Sequence, residues 1–234
     1  MRKNQAFSKM GPRVLSVSCA LVFAFSVLFF PGAVLARSYG VADWNAPQNQ
    51  GGYANLYVAQ GSASDWASGG HINETIWVAT SNANTSFQYW AEGGYTYGYQ
   101  GLNILTYYWA HNSPMYGYGD HLITSITPVV GTWEPIQVKW TGNGTWSITY
   151  NWQVGTGPDG PSLATGHTLW SYGMQAGLES TSSSSSLTNA VASSLQWMDS
   201  QGTWQSGWNS AYIYVAPPAS ASWVTQYQRV TSSQ

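Results

Sequence analysis

The stretch "PIQVKWTGNGTWSITYNWQV" at residues 135–154 decides the fold class. Ile136, Val138 and Trp140 alternate with polar residues before "GNG", and the alternation resumes from Trp146 after it. Alternation with a period of two is the pattern of a strand with one buried face, and a turn rich in Gly and Asn between two such runs predicts a β-hairpin.

Similar signals recur along the chain. Further strands are predicted near residues 74–80, 86–97, 105–111, 121–127, 167–179, 194–198, 211–215 and 222–230, with Gly, Asn, Pro or Ser clusters between them. The segment "SLTNAVASSLQW" is predicted to hold one short helical turn. Many short strands without alternating helices predict an all-β fold, a two-sheet antiparallel β-sandwich or jelly roll of the concanavalin-like kind.

The amino-terminal residues have the three parts of a secretory signal. Four basic residues precede the apolar run "VLSVSCALVFAFSVLFF", and the small-residue site "VLA" ends at Ala36. We therefore predict a signal peptide over residues 1–36 and an extracellular, secreted protein; an uncleaved membrane anchor is the alternative. Residues 37–70 are predicted to form an irregular lead-in or edge strands, and residues 71–234 the β-sandwich domain.

The charge of the chain excludes some partners. Beyond Ala36 only Arg37, Lys139 and Arg229 are basic, against nine acidic residues, which leaves a net charge of −6. Nucleic acid and anionic membrane surfaces are therefore not expected as partners, and we expect a monomer with no membrane association after cleavage. The single cysteine, Cys19, lies in the leader, so neither disulfides nor thiolate chemistry are expected beyond it.

Two glutamates interrupt aromatic or apolar strand patterns in this weakly charged chain. Glu92 lies in "WAEGGYTYG" and Glu179 in "MQAGLES". In each strand, the alternation places the glutamate on the face that is poorer in aliphatic residues. If the two strands are neighbours, the carboxyl groups lie roughly 5 Å apart and share a proton, so that one acts as a base and the other as an acid.

These two blocks resemble the neprosin-like glutamic peptidases and, more distantly, the eqolisin type. The similarity covers roughly residues 71–180 and includes "YYWAHN" at residues 107–112. The resemblance implies a β-sandwich whose concave face carries Glu92 and Glu179 as the catalytic dyad, with glutamine in the first place in eqolisins. The short chain, without cysteines beyond its leader, is typical of a compact, bacterial member.

The resemblance also implies a mechanism. Water activated by one carboxylate attacks the peptide carbonyl directly, while the second carboxyl group donates a proton, and neither a covalent intermediate nor a cofactor is needed. The expected partner is a peptide or protein substrate. Trp90, Tyr95 and Tyr97 are candidates for lining the cleft or holding the oxyanion, and Gln175 is a candidate for holding the water or the oxyanion.

Two other functions fit the same residues. Exposed Trp and Tyr on a sandwich also bind sugar rings, so a carbohydrate-binding module with a polysaccharide partner is the first alternative. A retaining glycoside hydrolase, which also pairs two carboxylates, is the second. His71, His111, His121 and His167 are too widely spaced to match a metal-binding motif.

Overall fold

A computed structural model of the chain describes residues 37–79, 90–113, 117–142, 145–150, 153–154, 163–164, 173–182 and 184–234. The predicted signal peptide lies outside these residues. Two short 3-10 turns, Trp66–Ser68 and Tyr99–Gly101, interrupt the strands. Among the described residues, no helix is long and apolar enough to cross a membrane.

The strands are short, as the pattern of turns predicts. In chain order they are β1 (Ser38–Trp44), β2 (Gly51–Tyr57), β3 (Gly61–Ala63), β4 (Ile72–Ala79), β5 (Trp90–Tyr97), β6 (Leu105–Ser113), β7 (Gly117–Ile123), β8 (Trp133–Gly142), β9 (Thr145–Tyr150), β10 (Gln153–Val154), β11 (Leu163–Ala164), β12 (Gly173–Ser180), β13 (Ser185–Leu187), β14 (Ala190–Met198), β15 (Trp204–Ser206), β16 (Tyr212–Ala216), β17 (Ser220–Thr225) and β18 (Arg229–Ser233).

Two large antiparallel sheets pack against each other. One has seven strands in the order β16-β1-β12-β4-β5-β6-β7. The other runs β10-β9-β8-β2-β14-β18-β17, with β11 beside β9 and β15 beside β14, and β3 pairs with β13 separately. Ile76 and Met174 of the first sheet and Ile136 and Ile148 of the second are fully buried in one core. The predicted two-sheet β-sandwich is therefore confirmed.

The local strand predictions hold where the alternation is regular. β8 and β9 form the predicted hairpin, with Val138 opposite Ile148 and Trp140 opposite Trp146. The predicted helical turn is wrong: these residues form the end of β13 and most of β14, which pairs with β2 and β18. The strand predicted at residues 121–127 ends at Ile123, and the one predicted at residues 222–230 is two strands, β17 and β18.

Residues 37–70 differ most from expectation. β1 lies inside the first sheet between β16 and β12, and β2 lies inside the second between β8 and β14, so neither is an edge strand or an irregular lead-in. The glycines of this segment are typical of irregular structure, but Gly52 of β2 has a role in the packing of the two sheets. A Cβ at Gly52 would lie 2.4 Å from Met174 Cε and 3.0 Å from Ile76 Cδ1 of the facing sheet. Glycine allows this close approach of the two sheets.

Candidate active site

The two glutamates lie on the outer face of the seven-stranded sheet. Ala91 and Leu178 are buried in the core between the sheets. Because successive side chains of a strand point to opposite faces, Glu92 and Glu179 both point away from that core. The structure thus places both on one face, as the alternation predicts.

The strands that carry the glutamates are not neighbours, because β4 runs between β5 and β12. Glu92 lies opposite Trp77 of β4, and Trp77 lies opposite Gln175 of β12. Glu179 lies opposite Asn73, four residues away along β4. The predicted condition that the two strands are neighbours is therefore not met: β5 and β12 are separated by two strand spacings, roughly 10 Å.

Small residues leave a hollow on the outer face, between the positions of Glu92 and Glu179 along the strands. Gly177 lies opposite Thr75, and Thr75 lies opposite Gly94. Gly177 has φ +139°, and a Cβ there would come within 2.4 Å of the Gly40 carbonyl oxygen. A residue with a Cβ does not fit this conformation, so no side chain extends from position 177 on the outer face of the sheet. The longer side chains around it therefore enclose a hollow.

A cavity of about 390 Å³ occupies this side of the sheet. Glu92 and Glu179 are 3% and 5% exposed, so both lie at its floor rather than on open surface. The residues that line the cavity are largely aromatic: Arg37, Tyr39, Asp43, His71, Trp77, Trp90, Glu92, Tyr99, Tyr118, Gln175, Glu179, Tyr212 and Tyr214. A concave, mostly aromatic pocket with a few convergent polar groups is the usual form of a ligand site.

Three neighbours favour the ionised form of Glu179: Arg37, Tyr39 and, more weakly, Asn73. The Arg37 guanidinium lies 3.2 Å from Glu179 Oε1, and the Tyr39 hydroxyl donates a hydrogen bond of 3.2 Å to the same oxygen. Burial raises the pKa of Glu179, while Arg37 and then Tyr39 oppose that rise. Glu179 is therefore the member of the pair whose negative charge is stabilised.

Glu92 has less support for a negative charge. Burial raises its pKa well above the ordinary value, and the charge of Glu179 raises it further, while Arg37 and then a hydrogen bond with Tyr108 oppose the rise more weakly. Its Oε2 atom is buried and has no hydrogen-bond partner among the described residues. The surroundings of Glu92 therefore favour its protonated form more than those of Glu179 do.

A buried aspartate holds Gln175 in place. The Gln175 side-chain amide donates a 2.8 Å hydrogen bond to Asp43 Oδ2. Because an amide NH₂ carries two donors, this bond leaves one N–H for another acceptor in the cavity. Burial raises the pKa of Asp43, and its hydrogen bond with Gln175 opposes that rise.

The described ranges contain no group of three or more His, Cys, Asp or Glu residues placed to hold a metal ion. His111 and His121 stack with parallel rings, their centroids 6.0 Å apart, on neighbouring strands β6 and β7. Neither residue lines the cavity.

Solved peptidases share this architecture over nearly their whole length. Scytalido-glutamic peptidase with a transition-state analogue inhibitor matches with a TM-score of 0.61, at 15% identity over 84% of this chain and 98% of that one. SCP-B, an eqolisin-family peptidase in complex with the tripeptide Ala-Ile-His, matches with a TM-score of 0.57, at 16% identity over 84% and 98%. The chain has the glutamic-peptidase fold. The eqolisin part of the resemblance is thus confirmed at the level of fold.

A second structure of scytalido-glutamic peptidase, with a peptide-based transition-state analogue, gives a TM-score of 0.57 at 15% identity, over 85% of this chain and 98% of that one. No protein-family model and no curated protein matches the sequence. The likeness to glutamic peptidases that these comparisons show therefore lies in the fold.

Within this glutamic-peptidase fold, two of the four predicted accessory residues line the cavity and two do not. Trp90 and Gln175 line it with the glutamates. The prediction that Tyr95 and Tyr97 line the cleft is wrong, because both lie in the core. Their hydroxyl groups donate 2.9 Å hydrogen bonds to the carbonyl oxygens of Tyr57 and Ala59 in the same core. Odd-numbered residues of β5 face the core, so they cannot share a face with Glu92.

The sequence reasoning missed several residues of the cavity. Arg37, Tyr39 and Asp43 come from β1 or the residue before it, in the segment for which the sequence predicts an irregular lead-in or edge strands. Residues 39–43 read "YGVAD", in which apolar and polar residues do not alternate, so no local signal of this kind marked the strand. Trp77 was missed because nothing local indicates that β4 separates the glutamate strands.

Proposed function

We propose that this chain is a secreted, monomeric glutamic endopeptidase that acts at acid pH on peptide or protein substrates, with Glu92 and Glu179 as its catalytic dyad. The observation that carries the proposal is one cavity in which two buried carboxyl groups have different environments. Arg37 and Tyr39 contact Glu179, whereas Glu92 has a buried oxygen without a partner among the described residues. Two carboxyl groups whose environments push their pKa values apart supply one base and one acid at the same pH.

In the starting state of the proposed reaction Glu179 is ionised and Glu92 carries a proton. Ionised Glu179 takes a proton from water as the water oxygen bonds to the peptide carbonyl carbon, and Glu92 donates its proton as the C–N bond breaks at the amine. Return of the proton from Glu179 to Glu92 restores the starting state. In the proposed mechanism the second N–H of Gln175 donates to the carbonyl oxygen as negative charge develops on it.

Two further observations support a peptide substrate. The similar peptidases are described with a peptide-based transition-state analogue and with a tripeptide. The blocks "WAEGGYTYGY" and "MQAGLES" support the neprosin-like affiliation, which we include in the proposal. The leader at residues 1–36 supports secretion.

Cleavage of a mixed peptide library by the purified chain tests the proposal. Products are identified by mass spectrometry from about pH 2 to about pH 7, beside a double variant with glutamine at both dyad positions. We expect cleavage that peaks at acid pH and is absent from the double variant. No cleavage at any pH by a chain shown to be folded would contradict the proposal.

Arg37→Gln is expected to move the pH profile of kcat/KM upward. Arg37 lowers the pKa of Glu179 and, more weakly, that of Glu92, so its loss raises both. Protons then leave each group at higher pH, and both limbs of the profile move in that direction. Arg37→Lys keeps a positive charge and is the matched control, expected to stay near wild type. An unchanged profile in Arg37→Gln would show that this ion pair does not set the protonation of the dyad.

A further inference from the structure

The outer face of the nine-stranded sheet lies on the opposite side of the sandwich from the cavity. In β2, Ala54 and Leu56 are buried in the core between the sheets. The residues that alternate with them, Tyr53, Asn55 and Tyr57, are half-buried and point away from that core. This face is therefore a surface separate from the candidate active site.

Aromatic rings lie in two pairs along this face. Tyr57 lies opposite Trp133 of β8, with ring centroids 5.3 Å apart, and Trp133 is 40% exposed. The Tyr53 ring is in edge contact with Trp204 of β15, with centroids 6.2 Å apart. Tyr53 and Tyr57 are four residues apart on one strand, so the two pairs are roughly 13 Å apart. Tyr and Trp rings on such a surface can stack against the apolar faces of sugar rings.

Amide and hydroxyl side chains lie between the aromatic pairs. Gln137 and Gln196 lie opposite Tyr53 on its two sides, and Ser193 lies opposite Asn55. All four polar residues are half-buried. Amide and hydroxyl groups both donate and accept hydrogen bonds, so they can pair with the hydroxyl groups of a sugar.

Two of the three basic residues beyond Ala36 also lie on this face. Lys139 follows Gln137 by two residues on β8 and so points to the same side. The Arg229 guanidinium carbon lies 5.6 Å from the centroid of the Trp133 ring. Neither Lys139 nor Arg229 forms an ion pair with any residue that the structure describes. Both charges therefore remain for an anionic partner.

The acidic residues are placed elsewhere. In the described strands of this sheet the one acidic residue is Glu134, which is buried and lies opposite the core residue Leu56. Asp43, Glu92 and Glu179 line the cavity on the other side of the sandwich. The net negative charge of the chain therefore does not describe this face, where the local charge is positive and attracts anions.

We propose that the outer face of the nine-stranded sheet is a second binding site, which holds a polysaccharide that contains uronic acids. Trp133 and Tyr53 stack on sugar rings, and Arg229 and Lys139 pair with sugar carboxylates. Trp133 and Lys139 are six residues apart on β8, roughly 20 Å, a distance that an extended chain of several acidic sugars can span. A guanidinium group binds a carboxylate through two parallel hydrogen bonds.

This site is independent of the proposed peptidase function. The two outer faces point in opposite directions, so a polysaccharide bound here leaves the cavity with Glu92 and Glu179 open. Binding to this site can therefore be measured whether or not the chain cleaves peptides.

The test is calorimetric titration of the full chain with polygalacturonate and with its methyl-esterified, uncharged form. At about pH 6 and low salt, we expect the acidic polymer to bind about tenfold more tightly, and added salt to reduce the difference. The double variant Lys139→Gln, Arg229→Gln should bind the two polymers equally, whereas Arg229→Lys should keep most of the preference. Trp133→Ala should weaken binding of both polymers about tenfold.

The matched control is Tyr118→Ala, which removes an exposed aromatic ring from the cavity side of the sandwich. It should bind both polymers like wild type. Thermal unfolding shows that each variant is folded, and the double variant decides the charge recognition even if Trp133→Ala does not fold.

Three results would overturn the proposal. The first is no binding of either polymer, or equal binding of both, by the folded wild-type chain. The second is loss of binding in Tyr118→Ala but not in Trp133→Ala, which would place the sugar in the cavity. The third is binding to phosphatidylglycerol vesicles but to neither polymer, which would indicate a membrane surface as the partner.

Discussion

Glu179→Gln is expected to lower kcat/KM for peptide cleavage by about 10²- to 10⁴-fold, the contribution of a general base. Glutamine has the shape of glutamate but cannot accept a proton from water. The fold should be unaffected, because the Arg37 side chain is 56% exposed and water can solvate it once the ion pair is lost. The measurement is steady-state cleavage of a single library-derived peptide, with thermal unfolding of each variant recorded in parallel.

Glu92→Gln is expected to have a smaller effect on the same assay. In the proposed mechanism Glu92 acts on the leaving amine, and the amide of glutamine at this position keeps a hydrogen-bond donor. It cannot transfer a proton to the leaving amine, so activity should fall and the limb of the pH profile that reports protonated Glu92 should disappear. Residual activity in this variant is therefore compatible with the dyad.

The matched control is Glu134→Gln. Glu134 is also a buried glutamate on a strand, but it lies on β8 of the other sheet and outside the cavity. Its Oε1 accepts a 3.0 Å hydrogen bond from Thr132, a contact that glutamine preserves. Wild-type cleavage by Glu179→Gln would refute the dyad, and loss of activity in Glu134→Gln would show that the assay reports damage to the fold.

The features that sequence predicts correctly are local. The hairpin of β8 and β9 follows from alternation around one turn, and the outward direction of Glu92 and Glu179 follows from the parity of each strand. Each of these inferences needs only neighbouring residues, because side chains alternate along a strand whatever lies beside it. The same parity also excludes Tyr95 from the cleft, although its closeness to Glu92 in sequence suggested a role there.

The features that sequence did not predict depend on the order of strands. Two such features come from pairings between distant segments. β4 separates the glutamate strands, and β1 brings Arg37 and Tyr39 beside Glu179. The antiparallel register fixes them only once the sheet is assembled. The proposed assignment of acid and base rests on the contact between Arg37 and Glu179, so it required the structure.

Glu74 has an environment suited to acid conditions, although it lies outside the active site. It lies on the core face of β4, opposite Leu178 on one side and Tyr95 on the other, and it is fully buried. Its Oε2 accepts a 3.1 Å hydrogen bond from Ser232 of the other sheet, and its Oε1 has no partner in the described ranges. Burial raises the pKa of Glu74 to about 8, with Ser232 opposing the rise.

This burial links folding to pH in a defined direction. Below about pH 4.5, Glu74 is protonated in both the folded and the unfolded chain. Between about pH 4.5 and pH 8 the folded chain keeps a proton that the unfolded chain loses, so the free energy of unfolding falls as the pH rises. At about 1.4 kcal/mol per pH unit, the loss is on the order of 4 to 5 kcal/mol, and it stops above that interval.

Glu74→Gln is expected to remove this loss, because glutamine is neutral at every pH and keeps an oxygen for Ser232. Urea unfolding of the two proteins gives the free energy of unfolding from about pH 4 to about pH 9. The curves should lie close together at acid pH and diverge by several kcal/mol near pH 8, with the variant more stable. The raised pKa values of Glu92 and Glu179 act in the same direction, but both proteins share them, so the difference isolates Glu74. Parallel curves across this range would show that Glu74 is not a buried neutral acid, and that its burial does not favour the folded chain in acid.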